Sequence, residues 1–352
     1  AERVYEALDG YLSWLPGGLL YSNILTSTLF SATSGSSEAT AATVGTVALP
    51  QAKRLGYDEK LFTGSIAAGG TLGIMIPPSI NLIIYGFLTQ TSIPRLFLAG
   101  IVPGLVLALL FCLMILVACS IWPQLGGKRV ERQNVNRAAG LLHLIPILLV
   151  FLVVVGSIYL GWATPTESAA LGVLLALILA FVYRKLSFGM LREALEGTMR
   201  STAMIMLILL AANFLNFVFA RMGLTQQLTS LLDNLNMSNL QAMLLIIAFY
   251  VVLGFFVETL SLMIITIPIV TPVVFAMGYD PVWFGIMLIL LIEMALITPP
   301  VGLNLYVVQG VRGHGSLTDV MIGAIPFVVT MFVMAGFLLA FPQIALWLPG
   351  LN

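Results

Sequence analysis

The sequence predicts an all-α polytopic membrane protein made of inverted repeats, each with a re-entrant helical hairpin and a helix broken at Pro-Pro. Three observations predict it: an apolar composition, runs long enough to cross a bilayer, and motifs that recur at a fixed offset. Of 352 residues, 60% are hydrophobic and 9% charged, with 15 basic against 15 acidic side chains. Soluble domains carry about 25% charged residues. Mean hydropathy is +1.06, and too few polar residues remain to cover a soluble surface. This excludes a secreted enzyme, a nucleic-acid binder and a disordered scaffold. The lipid bilayer is a partner; nucleic acid is not.

Cysteine and histidine narrow the chemistry. Cys112 and Cys119 share one apolar run; seven residues of helix rise about 10.5 Å, too far for a disulfide. His143 and His314 are far apart, and no Cys/His cluster has metal-ligand spacing. No GxxxxGK[ST] loop is present, so ATP hydrolysis has no site.

A spanning helix needs about 20 apolar residues. Uninterrupted runs cover 94–122, 140–162, 168–184, 201–221 and 317–341. Helices at 60–90 and 281–311 are broken by Pro77-Pro78 and Pro299-Pro300. The amphipathic, charged stretch 187–199 is expected to lie in the interface. Segments 14–53 and 239–275 are interrupted by Ser34 to Ser37 and by Glu258 to Ser261. From Glu38 to Pro50 the helix covers about 20 Å, short of a ~30 Å hydrocarbon core. After Ser261 the run meets Pro268 and Pro272. Both segments are therefore read as re-entrant hairpins, which are tolerated where protein or a cavity surrounds them.

Charge tests that topology. With both hairpins re-entrant, Arg3, Lys53, Arg54, Lys60, Lys128, Arg129, Arg132, Arg137, Arg184, Lys185, Arg192, Arg200 and Arg312 fall on the cytoplasmic side. Only Arg95 and Arg221 fall outside. This is the positive-inside asymmetry of a membrane protein, and it puts the C-terminus outside.

The repeat is in register. Pro50, Gly56-Tyr57-Asp58 and Pro77-Pro78 recur as Pro272, Gly278-Tyr279-Asp280 and Pro299-Pro300, each at an offset of 222 residues. Gly100 and Pro103 match Gly323 and Pro326 at 223. The first Gly-Tyr-Asp loop is basic and the second has no Lys or Arg, so the repeats are inverted, an arrangement with substrate and ion sites near the midplane. The first repeat is expected to span 1–123 and the second 140–352, with a basic cytoplasmic linker at 124–139. The spans 140–221 that precede the second hairpin have no counterpart before Ala1. The sequence reading is therefore a chain short of its N-terminal spans. The amphipathic segment 3–15 stands where 225–237 stands in the second repeat.

The candidate site lies at the tips and breaks. Small residues at Ser34 to Thr40 let the backbone turn, and Ser36 or Ser37 can cap the outgoing helix. Tip carbonyls and hydroxyls suit a small cation, and the adjoining helix N-terminus favours an anion. Pro-Pro frees carbonyls in Gly69 to Asn81 and in Ala295 to Asn304. Gly73 and Ala295 are equivalent small residues before each break. Glu38 and Glu258 sit at expected membrane depth, where carboxylates are costly and usually functional; the alternative is that each complements a helix N-terminus. Glu293 also lies in a span, with less context. Thr166, in ATPTES, is read as a helix cap before Glu167.

These motifs resemble a known family. GSSEATAATVGTVALPQAKRLGYD, GTLGIMIPPSINLIIYG, GWATPTESAALG and ITPPVGLN are similar to the large membrane subunit of tripartite ATP-independent periplasmic (TRAP) transporters. The resemblance covers essentially the whole chain and implies an elevator-type fold of the ion-transporter superfamily. It implies sodium-coupled import of a small organic anion, a small four-helix membrane subunit and a periplasmic substrate-binding protein in the bacterial inner membrane. Carried over from similar anion/sodium symporters, it assigns one sodium ion to Ser36, Ser37 and Gly73. It assigns a second to Thr259, Ala295 and Thr298. Ser37, Glu38, Asn81, Glu258, Ser261 and Asn304 are the expected substrate contacts. Glu38 departs from the small or other polar residue found in many members. The alternatives are a stand-alone divalent anion/sodium symporter and, in another class, an intramembrane lipid-modifying enzyme.

Overall fold

The computed structural model describes residues 14–127, 137–223 and 237–351, with positions 5, 8, 11, 12, 226, 227 and 230. Arg3, Lys128, Arg129 and Arg132 lie outside the described residues, as does most of 3–15, 124–139 and 225–237. Every regular element among the described residues is a helix. Five are long and apolar enough to cross a membrane, and the protein is a multi-pass membrane protein.

Helices α1 (Gly18–Ser34) and α2 (Ser37–Leu55) form a tight helix–turn–helix. Next, α3 (Glu59–Met75) and α4 (Ile80–Thr89) are bent by 41° at their break, and α5 (Ile93–Ile121) follows. After α6 (Arg137–Tyr159), α7 (Pro165–Val182) and α8 (Phe188–Met222) the pattern returns. The pair α9 (Asn239–Gly254) and α10 (Thr259–Ala276) precedes α11 (Pro281–Leu296) and α12 (Leu303–Arg312), which flank the second break, and then α13 (Leu317–Ala340).

The Gly-Tyr-Asp motif has one job at both places. Gly56 (φ 66°) and Gly278 (φ 87°) turn the chain out of α2 and α10 in the left-handed region. Asp58 accepts from the Leu61 N–H at 2.8 Å, and Asp280 from those of Val282 and Trp283 at 2.7 and 3.1 Å. Each aspartate thereby starts the next helix. The tyrosines tie the pairs together. The Leu19 N–H donates to the Tyr57 hydroxyl at 3.1 Å, and the Tyr279 hydroxyl donates to the Asn239 carbonyl at 3.2 Å. Each helix pair therefore starts and finishes at the same end.

Three local expectations are corrected. The stretches 187–199 and 201–221 are one 35-residue helix, α8; neither proline nor glycine lies between 198 and 203. Helix α2 passes through Pro50 and ends at Leu55, because one lost N–H bends a helix without having to end it. The cap of α7 is Thr164, not Thr166. Its hydroxyl accepts from the Glu167 N–H at 3.3 Å, and its own N–H donates to the Glu167 carboxylate at 2.8 Å. Pro165 takes the first helical position, where its missing N–H costs nothing.

The core is built on α3 and α11, both buried along almost their whole length. Helix α3 packs on α1, α2, α5, α11, α12 and α13. It meets α13 backbone to backbone: a Cβ on Gly64 would overlap the Gly323 carbonyl, and one on Gly323 the Lys60 carbonyl. A Cβ on Gly100 of α5 would stand 2.6 Å from the Met75 carbonyl oxygen. Such contacts do not slide. Helices α5 and α13 pack closely against the broken helices. Helices α6 to α8 stand apart, with exposed apolar residues such as Leu152 and Phe181. They join the rest where α6 packs on α1 and α8 on α10.

The glycine crossing predicts a stability effect. In an open helix, Gly→Ala gains about 0.5–1 kcal/mol, whereas overpacking costs about 1–3 kcal/mol. Gly336 has open space around it. Gly323→Ala should lower the melting temperature of the detergent-purified protein, and Gly336→Ala should leave it unchanged or raise it.

Candidate functional site

Two residues make the first tip. Gly35 takes φ 61°, and Ser36 is extended and caps α2. The Ser36 hydroxyl accepts from the Ala39 N–H at 3.3 Å and donates to the Glu38 carboxylate at 2.9 Å. Thr40, fully buried, donates to the Ser36 carbonyl at 2.8 Å and lies 2.6 Å from the Ser34 hydroxyl oxygen.

This tip rests on the first break. A Cβ built on Gly35 would stand 2.8 Å from the Pro78 carbonyl oxygen. One on Gly73 would stand 2.6 Å from the Ser36 carbonyl oxygen and 2.9 Å from Thr40 Oγ1. Only a bare α-carbon at position 73 admits that approach.

Asn304 comes to the same place from the other half of the chain. Its Nδ2 donates to Ser37 Oγ at 2.7 Å and to the Ala67 carbonyl at 3.0 Å. Asn304 and Ser37 are both 0% exposed, and Asn304 Oδ1 has no hydrogen-bond partner. Ser36, Ser37, Thr40, Gly73 and Asn304 thus converge, presenting hydroxyl, carbonyl and amide oxygens. Asn81, in the first turn after the first break, is 4% exposed, and its Nδ2 has no acceptor.

The second tip is built differently. Glu258 caps α10: its carboxylate accepts from the N–H groups of Leu260 and Ser261, each at 2.9 Å. It also accepts from the Thr259 and Ser261 hydroxyls at 2.9 and 3.1 Å. Four donors of its own turn meet it, so Glu258 is the cap of α10. Ala295 meets Gly254 at the end of α9. Ala295 and Thr298 line one cavity with Val251 and Phe255. Thr298 donates to the Met294 carbonyl at 2.6 Å. No hydrogen bond joins Thr259 to Thr298 among the described residues. Glu38 is half-buried at the rim of the first tip.

Sequence reasoning passed over Thr40, although its one-turn spacing from Ser36 was the available signal. Among the described residues no group of three or more His, Cys, Asp or Glu side chains could hold a metal ion. Hydroxyl, carbonyl and amide oxygens such as those at the first tip suit a hard cation better than a soft transition metal.

The chain's similarities agree with this architecture. The family model described as "Tripartite ATP-independent periplasmic transporter, DctM component" matches residues 1–344. The C4-dicarboxylate TRAP transporter large permease of Pseudomonas aeruginosa is 33% identical over 351 residues, 99% of this chain and 82% of that protein. The sialic acid TRAP transporter large permease of Vibrio cholerae is 33% identical with the same coverage. The ectoine TRAP transporter large permease of Halomonas elongata is 30% identical over 100% of this chain and 82% of its own length. These relatives are permeases, which sets aside the lipid-modifying enzyme. The chain belongs to the DctM family, the large permease component of tripartite ATP-independent periplasmic transporters.

Proposed function

We propose that this permease imports a small organic anion together with sodium across the bacterial inner membrane. In this reading it receives the anion from a periplasmic binding protein, works with a small four-helix membrane subunit and has a periplasmic C-terminus. The observation that carries the reading is the first tip, a buried set of oxygen ligands in which Asn304 Oδ1 has an unfilled acceptor position. Ser36, Ser37 and Gly73 then serve one sodium ion, and Thr259, Ala295 and Thr298 a second. The N-terminus of α2 favours a carboxylate beside the first ion. Ser37, Asn81 and Asn304 supply side-chain contacts to it, with Glu38 and Ser261 nearer the rim. The relatives are named for different substrates, C4-dicarboxylates, sialic acid and ectoine.

Inverted repeats support alternating access. The matched Tyr57 and Tyr279 each bond the first turn of their own helix pair, at Leu19 and Asn239. Asn81 and Asn304 lie 223 residues apart, so the added residue falls within the second break. In an elevator cycle α1–α5 and α9–α13 move as one body past α6–α8. Sodium favours the state with a closed tip, through its higher affinity for that state.

Uptake into proteoliposomes holding both membrane subunits tests this. A sodium gradient plus the cognate binding protein should drive uptake, and Ser37→Leu should abolish it while the complex still assembles. Uptake indifferent to sodium would overturn the coupling. Sodium-driven uptake without a binding protein would favour the stand-alone symporter. Cysteine pairs joining α1 to α6 or α8 to α10 should stop transport until reduced, and pairs joining α3 to α13 should not. Equal inhibition by both kinds of pair would end the elevator reading.

A further inference from the structure

Helix α12 is tied at both of its ends, and both ties land on the first repeat. Near its start the Asn304 amide donates to Ser37 Oγ and to the Ala67 carbonyl. At its last residue the Arg312 guanidinium donates to the Glu59 carboxylate. Asn304 and Arg312 are eight residues apart on α12, and Ala67 and Glu59 are eight apart on α3. Each interval is about 12 Å of helix rise. The two helices therefore run antiparallel, with matched polar ties at the two ends of their contact.

The loop after α12 is shaped around the second tie. The Arg312 side chain is only 4% exposed. Gly313 (φ 68°) and Gly315 (φ 71°) turn the chain back in the left-handed region, and a Cβ on Gly315 would overlap the guanidinium. Arg312 Nη1 also donates to the Ser316 carbonyl at 3.5 Å, and Nη2 lies 3.9 Å from Asp319 of α13. Gln309 closes the same loop by donating to the His314 and Gly315 carbonyls at 3.1 and 3.2 Å. Taking the carboxylate away from a buried guanidinium leaves an uncompensated charge, so the pair resists parting. The pair Arg192–Glu196 on α8 is different: both side chains are largely exposed, and such pairs contribute little.

The start of α12 has no comparable stop. Gly302 (φ 35°) precedes the helix without a side-chain cap, directly after the Pro299-Pro300 break. Leu305 and Val308 are buried, but apolar contacts are non-directional and do not oppose sliding along the helix axis. Asn304 tolerates little sliding. A slip of one residue is about 1.5 Å, enough to break bonds of 2.7 and 3.0 Å.

We propose that Arg312 and Glu59 are positioning residues for the first tip. Their pair stops α12 from sliding along α3, and so holds Asn304 against Ser37 with Oδ1 free to coordinate sodium. It sits about two turns of α12 from the tip and sets the affinity for the ion without touching it. The proposal rests on the sodium site proposed at that tip, and one set of measurements separates the two.

Uptake into proteoliposomes holding both membrane subunits, with the binding protein and saturating substrate, is measured against sodium concentration. Glu59→Gln and Arg312→Gln should each raise the sodium concentration for half-maximal uptake about tenfold, within the usual range for coupling between sites. Uptake at saturating sodium should stay close to wild type, as expected for a loss of binding alone. Arg312→Lys keeps the charge without the second N–H to Ser316, and should raise the sodium requirement by less. Glu196→Gln, which breaks the exposed pair on α8, should leave it unchanged. A role in stability alone would lower the melting temperature of the variants and leave their sodium requirement at the wild-type value. That result overturns the proposal, as does an equal rise in Glu196→Gln. If the glutamine variants do not assemble, Arg312→Lys decides: an unchanged sodium requirement overturns the positioning role. Wild-type uptake that ignores sodium overturns the sodium site and this proposal with it. A wild type that needs sodium, beside variants that need no more of it, overturns the positioning role alone.

Discussion

A helix broken inside a bilayer leaves N–H and C=O groups with no water to meet them, so other parts of the protein must cover the break. Much of this molecule follows from that constraint. The first tip covers the first break closely enough that Gly35 and Gly73 have no room for side chains. The second broken helix extends across the chain to the same place, where Asn304 donates to Ser37 and to the Ala67 carbonyl. The two halves are interlocked rather than side by side. The same need places polar residues inside. Ser22, Asn23, Ser27, Ser65 and Thr71 are buried, while Leu109, Phe181 and Leu210 face outward. Asn23 links α1 to α3 by donating to Ser65 at 2.8 Å and accepts from Tyr5 at 2.9 Å.

In the proposed function, the atoms that cover a break are also the ones that bind an ion. Carbonyls and hydroxyls that satisfy one another when a tip is closed are also the ligands a small cation requires. The unfilled acceptor position on Asn304 and the unfilled donor on Asn81 mark where the protein alone does not complete its bonding. The two tips reach this condition by different routes. At the first, Ser36 caps α2 and leaves its carbonyl facing Gly73. At the second, a carboxylate caps α10, and the negative charge of Glu258 complements the helix N-terminus.

Much of this was legible in the residues. Pro77-Pro78 and Pro299-Pro300 announced the breaks, because proline removes a donor that a helix needs. The Gly-Tyr-Asp pairs announced the helix ends, because glycine and aspartate have distinct terminal roles. What was not legible depended on contacts distant in sequence. Composition could not say that Gly64 meets Gly323, which brings α3 and α13 together backbone to backbone. Glu258 looked like a buried charge because its four donors come from the backbone and hydroxyls of its own turn. The continuity of α8 was hidden by a change from charged to apolar residues, which alters the surroundings of a helix without breaking it.

The most direct test of the central claim, that the first tip and Asn304 form a sodium site, is thermal unfolding of the purified complex in sodium, potassium and choline chloride at equal ionic strength. A ligand bound only by the folded state stabilises it in proportion to the logarithm of its concentration above Kd. Sodium should raise the melting temperature of the wild type in this manner, while potassium and choline should not. Asn304→Leu should lose most of that increase. Equal melting temperatures in all three salts, or an undiminished sodium shift in the variant, would contradict the account.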